Sequence, residues 1–202
     1  MSSLNRTIRA ALVVSSAVAV LAACTTTDPG DPTAGPTTGT SERTPTTSGS
    51  ATGGASGLSL AKYLSNPCAI LTKAQQAELT TFREAKATEG TFGPACTYQG
   101  KDVLENSTFE ISLVVKGNTI DDFIEEAKAG MSVAEETKVD GRPAINFDSA
   151  DGKRNCSTAV GTSDKEAVLV QANIGKNDKL NDDKACEKSE RVAKTVIGNL
   201  RG

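Results

Sequence analysis

The sequence predicts an α+β fold: an antiparallel sheet packed with helices, in a single disulfide-stapled domain that follows a disordered tether. Three observations lead to this prediction. Segments with the period-2 alternation of strands adjoin one another, and segments with helical periodicity are grouped apart from them. The repeated strand–helix alternation of a doubly wound parallel sheet is absent. After residue 57 the chain holds four cysteines, an even number that favours disulfides.

Residues 1–23 have the features of a secretory signal peptide. Arg6 and Arg9 precede an almost uncharged apolar run over residues 10–23, and small residues end that run. A transmembrane helix is the alternative, but it needs roughly 20 apolar residues, which this run does not reach. Because the segment has no Arg-Arg pair, the general secretory route is expected.

The end of this segment, Leu21-Ala22-Ala23-Cys24, resembles the lipobox of bacterial lipoproteins. In such proteins the peptide is cut before the cysteine and the cysteine thiol is diacylated. The resemblance therefore implies that Cys24 begins the mature chain and anchors it to the membrane. An ordinary cleaved signal peptide is the alternative. We expect the mature protein at the extracytoplasmic face of the cell membrane.

Residues 24–57 have the composition of a disordered tether. Of the 33 residues after Cys24, 26 are Thr, Gly, Ser or Pro, and none is aromatic or apolar beyond Ala. Such a segment buries too little surface to offset the entropy of ordering its backbone. A flexible coil of this length reaches on the order of 30 Å, which holds a domain clear of the membrane. The same composition also fits an O-glycosylated stalk.

Residues 58–202 form the predicted globular domain. Their number matches the common size of one domain, and all seven aromatic residues of the chain lie here. The 19 basic and 22 acidic residues of this part give it a net charge of −3. That balance argues against nucleic acid as a partner and against strong attraction to anionic lipid.

Once Cys24 is assigned to the lipid, four cysteines remain in an exported domain, and they predict two disulfides. Three connectivities are possible. We prefer the sequential pairs Cys68–Cys96 and Cys156–Cys186, which enclose loops of about 30 residues each. A metal site or a redox pair is the alternative. The chain has no histidine and no C-x-x-C motif, so zinc would need all four cysteines at spacings that match no paired-ligand pattern.

The first helix and strands of the domain are predicted from a helix-capping motif, a turn and alternating apolar residues. Thr72 and Gln75 fit a capping box at the start of a helix that runs to about residue 79. A strand is expected from Cys96, turning near Gly100. The clearest strand is marked by apolar residues at every second position: Phe109, Ile111, Leu113 and Val115.

Thr119 is expected to cap a second helix, which Gly130 ends as the residue after its last turn. Two hairpins are predicted over residues 137–147 and 156–174. The last helix spans about residues 182–199, with Asn181-Asp182-Asp183 as its cap and first turn, and Cys186 joins it to the sheet. The apolar faces of the two helices are Ile120, Phe123, Ile124 and Ala127 in the first, and Ala185, Val192, Ala193, Val196, Ile197 and Leu200 in the second.

Together with the lipobox and tether, several motifs resemble the actinobacterial lipoproteins grouped as domain of unknown function 3558. The resemblance covers most of residues 60–200. It implies the fold but no catalytic residues, because its motifs are cysteines, a helix cap and a turn. Those motifs are Pro67-Cys68-Ala69-Ile70-Leu71-Thr72, Cys96-Thr97-Tyr98, Val139-Asp140-Gly141-Arg142-Pro143-Ala144, Cys156, and Cys186 near the last helix.

Catalytic chemistry has little support in the sequence. Without histidine the chain lacks Ser-His-Asp and Cys-His schemes and the commonest zinc sites. Phosphate-binding glycine motifs are also absent. The carboxylates Asp121, Asp122, Glu125 and Glu126 are interpreted as a helix N-terminus with a solvated acidic face, not as a calcium or acid–base site. We expect no enzyme activity, no metal and no cofactor.

Two functions remain. The first is a non-catalytic binding domain of a membrane-anchored envelope lipoprotein, with an envelope protein, glycan or lipid as partner. The alternative is a carrier that holds a small hydrophobic ligand or lipid in an internal pocket. That pocket would be lined by residues such as Phe109, Leu113, Phe123 and Ile124, which otherwise belong to the ordinary core.

Overall fold

The computed structural model describes residues 57–202 of the chain. The predicted signal peptide, Cys24 and nearly all of the predicted tether lie outside the described residues. The domain has the α+β fold that the sequence predicts. Within the described part, seven strands form one antiparallel sheet, accompanied by three α-helices and two short 3-10 turns.

The elements follow one another in a simple order. The 3-10 turns Ala61–Tyr63 and Pro67–Ile70 come first. The helices and strands that follow are α1 (Lys73–Leu79), β1 (Lys86–Glu89), β2 (Pro94–Tyr98), β3 (Thr108–Val114), α2 (Ile120–Gly130), β4 (Val133–Val139), β5 (Arg142–Asp148), β6 (Asn155–Gly161), β7 (Ala167–Asn173) and α3 (Ala185–Leu200). Across the sheet the strand order is β1-β2-β3-β7-β6-β5-β4, and all neighbouring strands are antiparallel.

One face of the sheet, here called the first face, packs against α3 and the 3-10 turns. The alternation predicted for β3 places Phe109, Ile111 and Leu113 on this face, where they are fully buried. The face of α3 that meets them carries the apolar residues expected from the sequence, with Leu200 only partly buried. This cluster is the main hydrophobic core of the domain.

The opposite face, here called the second face, is covered by α2 at one end only. The apolar face of α2 is buried as predicted, apart from Ile124, which is half-buried. Ile120 lies so close to β6 that a Cβ on Gly161 would stand 3.0 Å from its Cγ2. A smaller core forms there from Val114, Ile120, Phe123, Ala127, Ile145, Ala159, Ala167 and Leu169.

The N-terminal caps predicted for the first two helices are present. The Thr72 hydroxyl accepts from the Gln75 N–H, and the Gln75 side chain accepts from the Thr72 N–H. Thr119 and Asp122 make the same reciprocal pair at the start of α2. Because each cap is set by residues three apart, its position could be predicted from local sequence.

The structure joins Cys68 to Cys96 and Cys156 to Cys186, the two pairs preferred from the sequence. The first disulfide ties the 3-10 turn Pro67–Ile70 to β2. The second ties α3 to β6, as expected. Both cross-links lie on the first face and hold its covering elements against the sheet.

Two helix ends differ from the predictions. The helix α3 begins at Ala185, so Asn181, Asp182 and Asp183 precede it instead of forming its cap and first turn. Asp183 has a left-handed backbone (φ 60°), and the Ala185 N–H donates to the carbonyls of Gly152 and Lys153, a long-range contact that sets the start. Gly130 is the last residue of α2, and an extended Met131 follows it.

The strand β1 was not predicted. All four of its residues are exposed, and it lacks the alternation of apolar side chains that marks a half-buried strand. It forms because its backbone pairs with β2, where Ala87 lies opposite Cys96. Pairing of this kind depends on the partner strand and not on the local sequence.

Candidate functional site

The end of the second face that α2 leaves uncovered forms an open groove with a volume of about 450 Å³. It lies where β3 begins, β6 begins and β7 ends. The groove floor is polar and made by three central strands. We call this surface the open face; its residues are Thr108, Glu110, Asn155, Ser157, Gln171 and Asn173.

The composition of the second face changes along each central strand. In β7, Gln171 is exposed, whereas Leu169 retains 3% of its surface. In β6, half-buried Ser157 is followed on the same face by fully buried Ala159. The polar end in every case is the one that α2 does not cover. The polar residues of the groove are therefore part of the strand sequences, and the groove is more than a gap left by a short helix.

The register places side chains of different strands in one continuous row. Gln171 of β7 lies opposite both Glu110 of β3 and Ser157 of β6. The row continues to Thr97 of β2 on one side and to Phe147 of β5 on the other. At a strand spacing of about 4.8 Å, these five positions span about 19 Å across the sheet.

Hydrogen bonds between neighbouring strands orient several of these side chains. The Thr97 hydroxyl donates to Glu110 Oε2 at 2.9 Å, and Asn173 Nδ2 donates to Asn155 Oδ1 at 2.7 Å. Gln171 makes no side-chain hydrogen bond within residues 57–202. The open face thus holds oriented carboxylate and amide groups whose remaining donors and acceptors are not used by the described domain.

The side of the groove towards α2 is apolar. The Phe147 ring stacks on Phe123, with centroids 6.2 Å apart and planes inclined by 27°. Phe123 in turn contacts Phe92, with a centroid distance of 5.2 Å. Beside them Met131 is 39% exposed. The aromatic contacts fix Phe147 against the small core, so the groove has a rigid apolar flank beside its polar floor.

The charge of the groove is negative. Glu110 and Asp148 line it, and its lining contains no lysine or arginine. The Asp148 carboxylate accepts the backbone N–H groups of Ala150 and Gly152, each at 3.0 Å, which holds the turn at the rim. An anionic ligand would meet like charge here.

The acidic residues noted in the sequence lie elsewhere. Hydrogen bonds from the Thr119 N–H and hydroxyl lower the pKa of Asp122, which serves as part of the cap. Asp182 pairs with Lys188 at 2.6 Å. Within residues 57–202, no three or more Cys, Asp or Glu side chains are arranged to hold a metal ion.

The pocket lining predicted for a carrier is corrected by the structure. Phe109 and Leu113 belong to the core of the first face, whereas Phe123 and Ile124 pack on the second face. The sheet separates the two pairs because α2 and α3 lie on opposite sides of it. These four residues therefore do not line one cavity.

Sequence reasoning missed the open face, although part of its signal was readable. The strand β3 has polar Thr108 and Glu110 on the face where Val114 is apolar, and β7 changes in the same way. Recognising that these polar ends adjoin requires the register of β3, β7 and β6. Those strands are distant in sequence, so the register is a tertiary property.

Comparison with known proteins identifies the family of this chain. The family model described as "Protein of unknown function (DUF3558)" matches residues 19–199. The chain belongs to this family. The DUF3558 match includes Leu21-Ala22-Ala23-Cys24, both disulfides and all but the last residue of α3. No curated protein and no solved structure matched the chain.

The disulfides of this DUF3558 domain indicate an extracytoplasmic location, since such bonds persist in oxidising compartments. Among the helices of residues 57–202, none has the length and apolar character needed to cross a membrane.

Proposed function

We propose that this DUF3558 chain is an actinobacterial-type envelope lipoprotein whose domain binds a ligand without catalysing a reaction. In this proposal Cys24 carries the lipid, residues 24–57 are the tether, and residues 58–202 bind an envelope component through the open face. The inclusion of the lipobox-like segment in the family match and the two disulfides support this assignment.

The open face is the observation that carries the proposed binding function. It combines polar groups, namely the Glu110 carboxylate held by Thr97 and the exposed Gln171 amide, with the fixed apolar flank at Phe147. A groove of about 450 Å³ lies within the size range of ligand sites. The chain also lacks histidine, the commonest general acid–base residue, which favours binding over catalysis.

The position of the open face suits a tethered protein. The Leu58 N–H donates to the carbonyl of Thr162 at 2.7 Å, so the chain enters the domain beside the end of β6. The open face lies at the beginning of that strand, with Asn155. Seven strand residues separate these ends by about 20 Å. The groove is thus separated by this distance from the point at which the tether joins the domain.

A carrier of a small hydrophobic ligand is the second candidate. A partly enclosed pocket between α1 and α3 has a volume of about 270 Å³. Its lining combines four apolar with four polar residues: Leu71, Leu79, Leu180 and Val192, and Gln75, Glu78, Arg191 and Thr195. Ligand pockets of proteins usually measure about 300–1,000 Å³. The groove of the open face is the larger of the two, so binding there is the preferred function.

Site-specific photocrosslinking in intact cells tests the preferred function. A benzophenone amino acid replaces Ser149, an exposed residue that lines the groove, or, as the control, Lys194 on the solvent side of α3. We expect a discrete crosslinked product from position 149 and none from position 194. Equal products from both positions, or none from position 149, would contradict binding at the open face.

A further inference from the structure

On the basis of the proposed binding function, we infer that the open face binds an uncharged linear glycan lying across the strands. The inference rests on the chemistry of the row, its charge and its shape. Each of these excludes a different class of alternative ligand.

The row offers the hydrogen-bonding groups that sugar hydroxyls need. Ser157 and Thr97 present hydroxyls, Gln171 an amide, and Glu110 a carboxylate, so donors and acceptors recur from strand to strand. A sugar hydroxyl both donates and accepts, and it matches such a mixed row at each position. Burial of these groups by an apolar ligand would leave them without hydrogen-bond partners, which is unfavourable.

The apolar flank complements the other surface of a sugar ring. The C–H groups of a pyranose carry partial positive charge and pack on the negative face of an aromatic ring. Phe147 is half-buried, fixed by its contact with Phe123, and lies at the end of the row beside Ser157. A glycan therefore meets both a polar floor and an aromatic flank here.

Charge decides against polyanions. Glu110 and Asp148 line the groove without any lysine or arginine, so phosphate-bearing polymers and anionic headgroups are repelled. A folded protein partner fits less well, because protein interfaces centre on apolar and aromatic residues. The centre of the open face is Glu110, Gln171 and Ser157, and the large apolar side chains of Phe147 and Met131 flank the groove on its side towards α2.

The shape of the groove favours a linear chain. It is open to solvent, and four neighbouring positions of the row line it over about 14 Å across the sheet: Glu110, Gln171, Ser157 and Phe147. Several sugar rings lie along such a length. A segment within a longer glycan can bind, since no wall closes the groove as it would for a chain end.

Titration of the full-length, ¹⁵N-labelled chain in detergent micelles tests the inference, with chitohexaose and cellohexaose as uncharged probes and dextran sulfate as a polyanion. We expect amide shifts confined to β3, β6 and β7 around the open face with at least one hexaose. Gln171→Ala and Glu110→Ala should each weaken that binding at least tenfold. Glu136→Ala, a strand glutamate of the same face outside the groove, should leave it unchanged.

The results separate failure of the glycan inference from failure of the proposed binding function. If neither hexaose causes shifts at the open face while position 149 still crosslinks to a protein in cells, the glycan inference is overturned and the binding function stands. If position 149 gives no crosslink either, both fail. Binding of dextran sulfate at the open face would also overturn the inference, since binding of this polyanion requires a cationic surface.

Discussion

Glu110 and Gln171 lie opposite each other on β3 and β7 and share the open face, although they are far apart in sequence. The next pair along these strands on the same face is Ser112 and Leu169, both buried. Two residues of strand thus separate a solvent-facing polar surface from a packed core. The end of α2 marks this boundary.

The boundary predicts unequal effects of two neighbouring substitutions in β7. Leu169→Ala removes a buried side chain from the small core and should lower the free energy of unfolding by about 2–4 kcal/mol. Gln171→Ala should change it by less than about 0.5 kcal/mol, because the side chain is exposed. Urea denaturation measures both. Similar losses from the two variants would mean that the open face is part of the packed structure.

The disulfides give a second prediction. Non-reducing peptide mapping of the exported protein should show Cys68 linked to Cys96 and Cys156 linked to Cys186. Replacing Cys156 and Cys186 together by Ala should lower the free energy of unfolding by about 3.5 kcal/mol, because the loop is 30 residues long. Detection of a Cys68–Cys156 peptide would refute this pairing.

A buried carboxylate gives a third prediction, about pH. Asp178 accepts from the Thr80 hydroxyl at 3.0 Å, from the Ser107 hydroxyl at 2.8 Å, and from the N–H groups of Ser107 and Leu180. Burial raises the pKa of this carboxyl, but these hydrogen bonds outweigh it and lower the pKa below its usual value. Ionised Asp178 therefore ties the loop before β3 to the segment before α3.

A lowered pKa stabilises the fold above the unfolded-state pKa of about 4, and this contribution is lost as the pH falls. Asp178→Asn should lower the free energy of unfolding by about 2 kcal/mol at pH 7. The difference between variant and wild type should shrink between pH 5 and pH 2 in urea titrations. A constant difference over that range would show that the charge of Asp178 does not stabilise the fold.

The lipid anchor gives a fourth prediction. Cys24→Ala removes the thiol that would be acylated, so the chain should leave the washed membrane fraction or be mislocalised. Fractionation with immunoblotting measures the distribution, and mass spectrometry of the N-terminal peptide shows whether acyl groups are present. Cys24→Ala protein that stays with the membrane without acylation would contradict anchoring through Cys24.

Local features of this fold were predictable because neighbouring residues determine them. The caps at Thr72 and Thr119 depend on residues three apart, and the alternation of β3 reports its own burial on the first face. The start of α3 was not predictable from Asn181-Asp182-Asp183. It is set by contacts with Gly152 and Lys153 from another part of the chain.

The candidate site was less predictable than the fold. Its residues come from β3, β6 and β7, and each is an ordinary polar strand residue when considered alone. They become a site only through the sheet order, in which β7 separates β3 from β6. The sequence pattern of one strand carries no information on that order.

Oxidative footprinting of Met131 tests the central claim most directly, that the open face is covered by a ligand in the envelope. Met131 flanks the groove at 39% exposure, and Leu64, at 37%, provides a matched position outside it. We predict that hydroxyl-radical oxidation of Met131 is slower on intact cells than in the purified chain, while that of Leu64 is unchanged. Equal oxidation of Met131 in the two samples would contradict the claim.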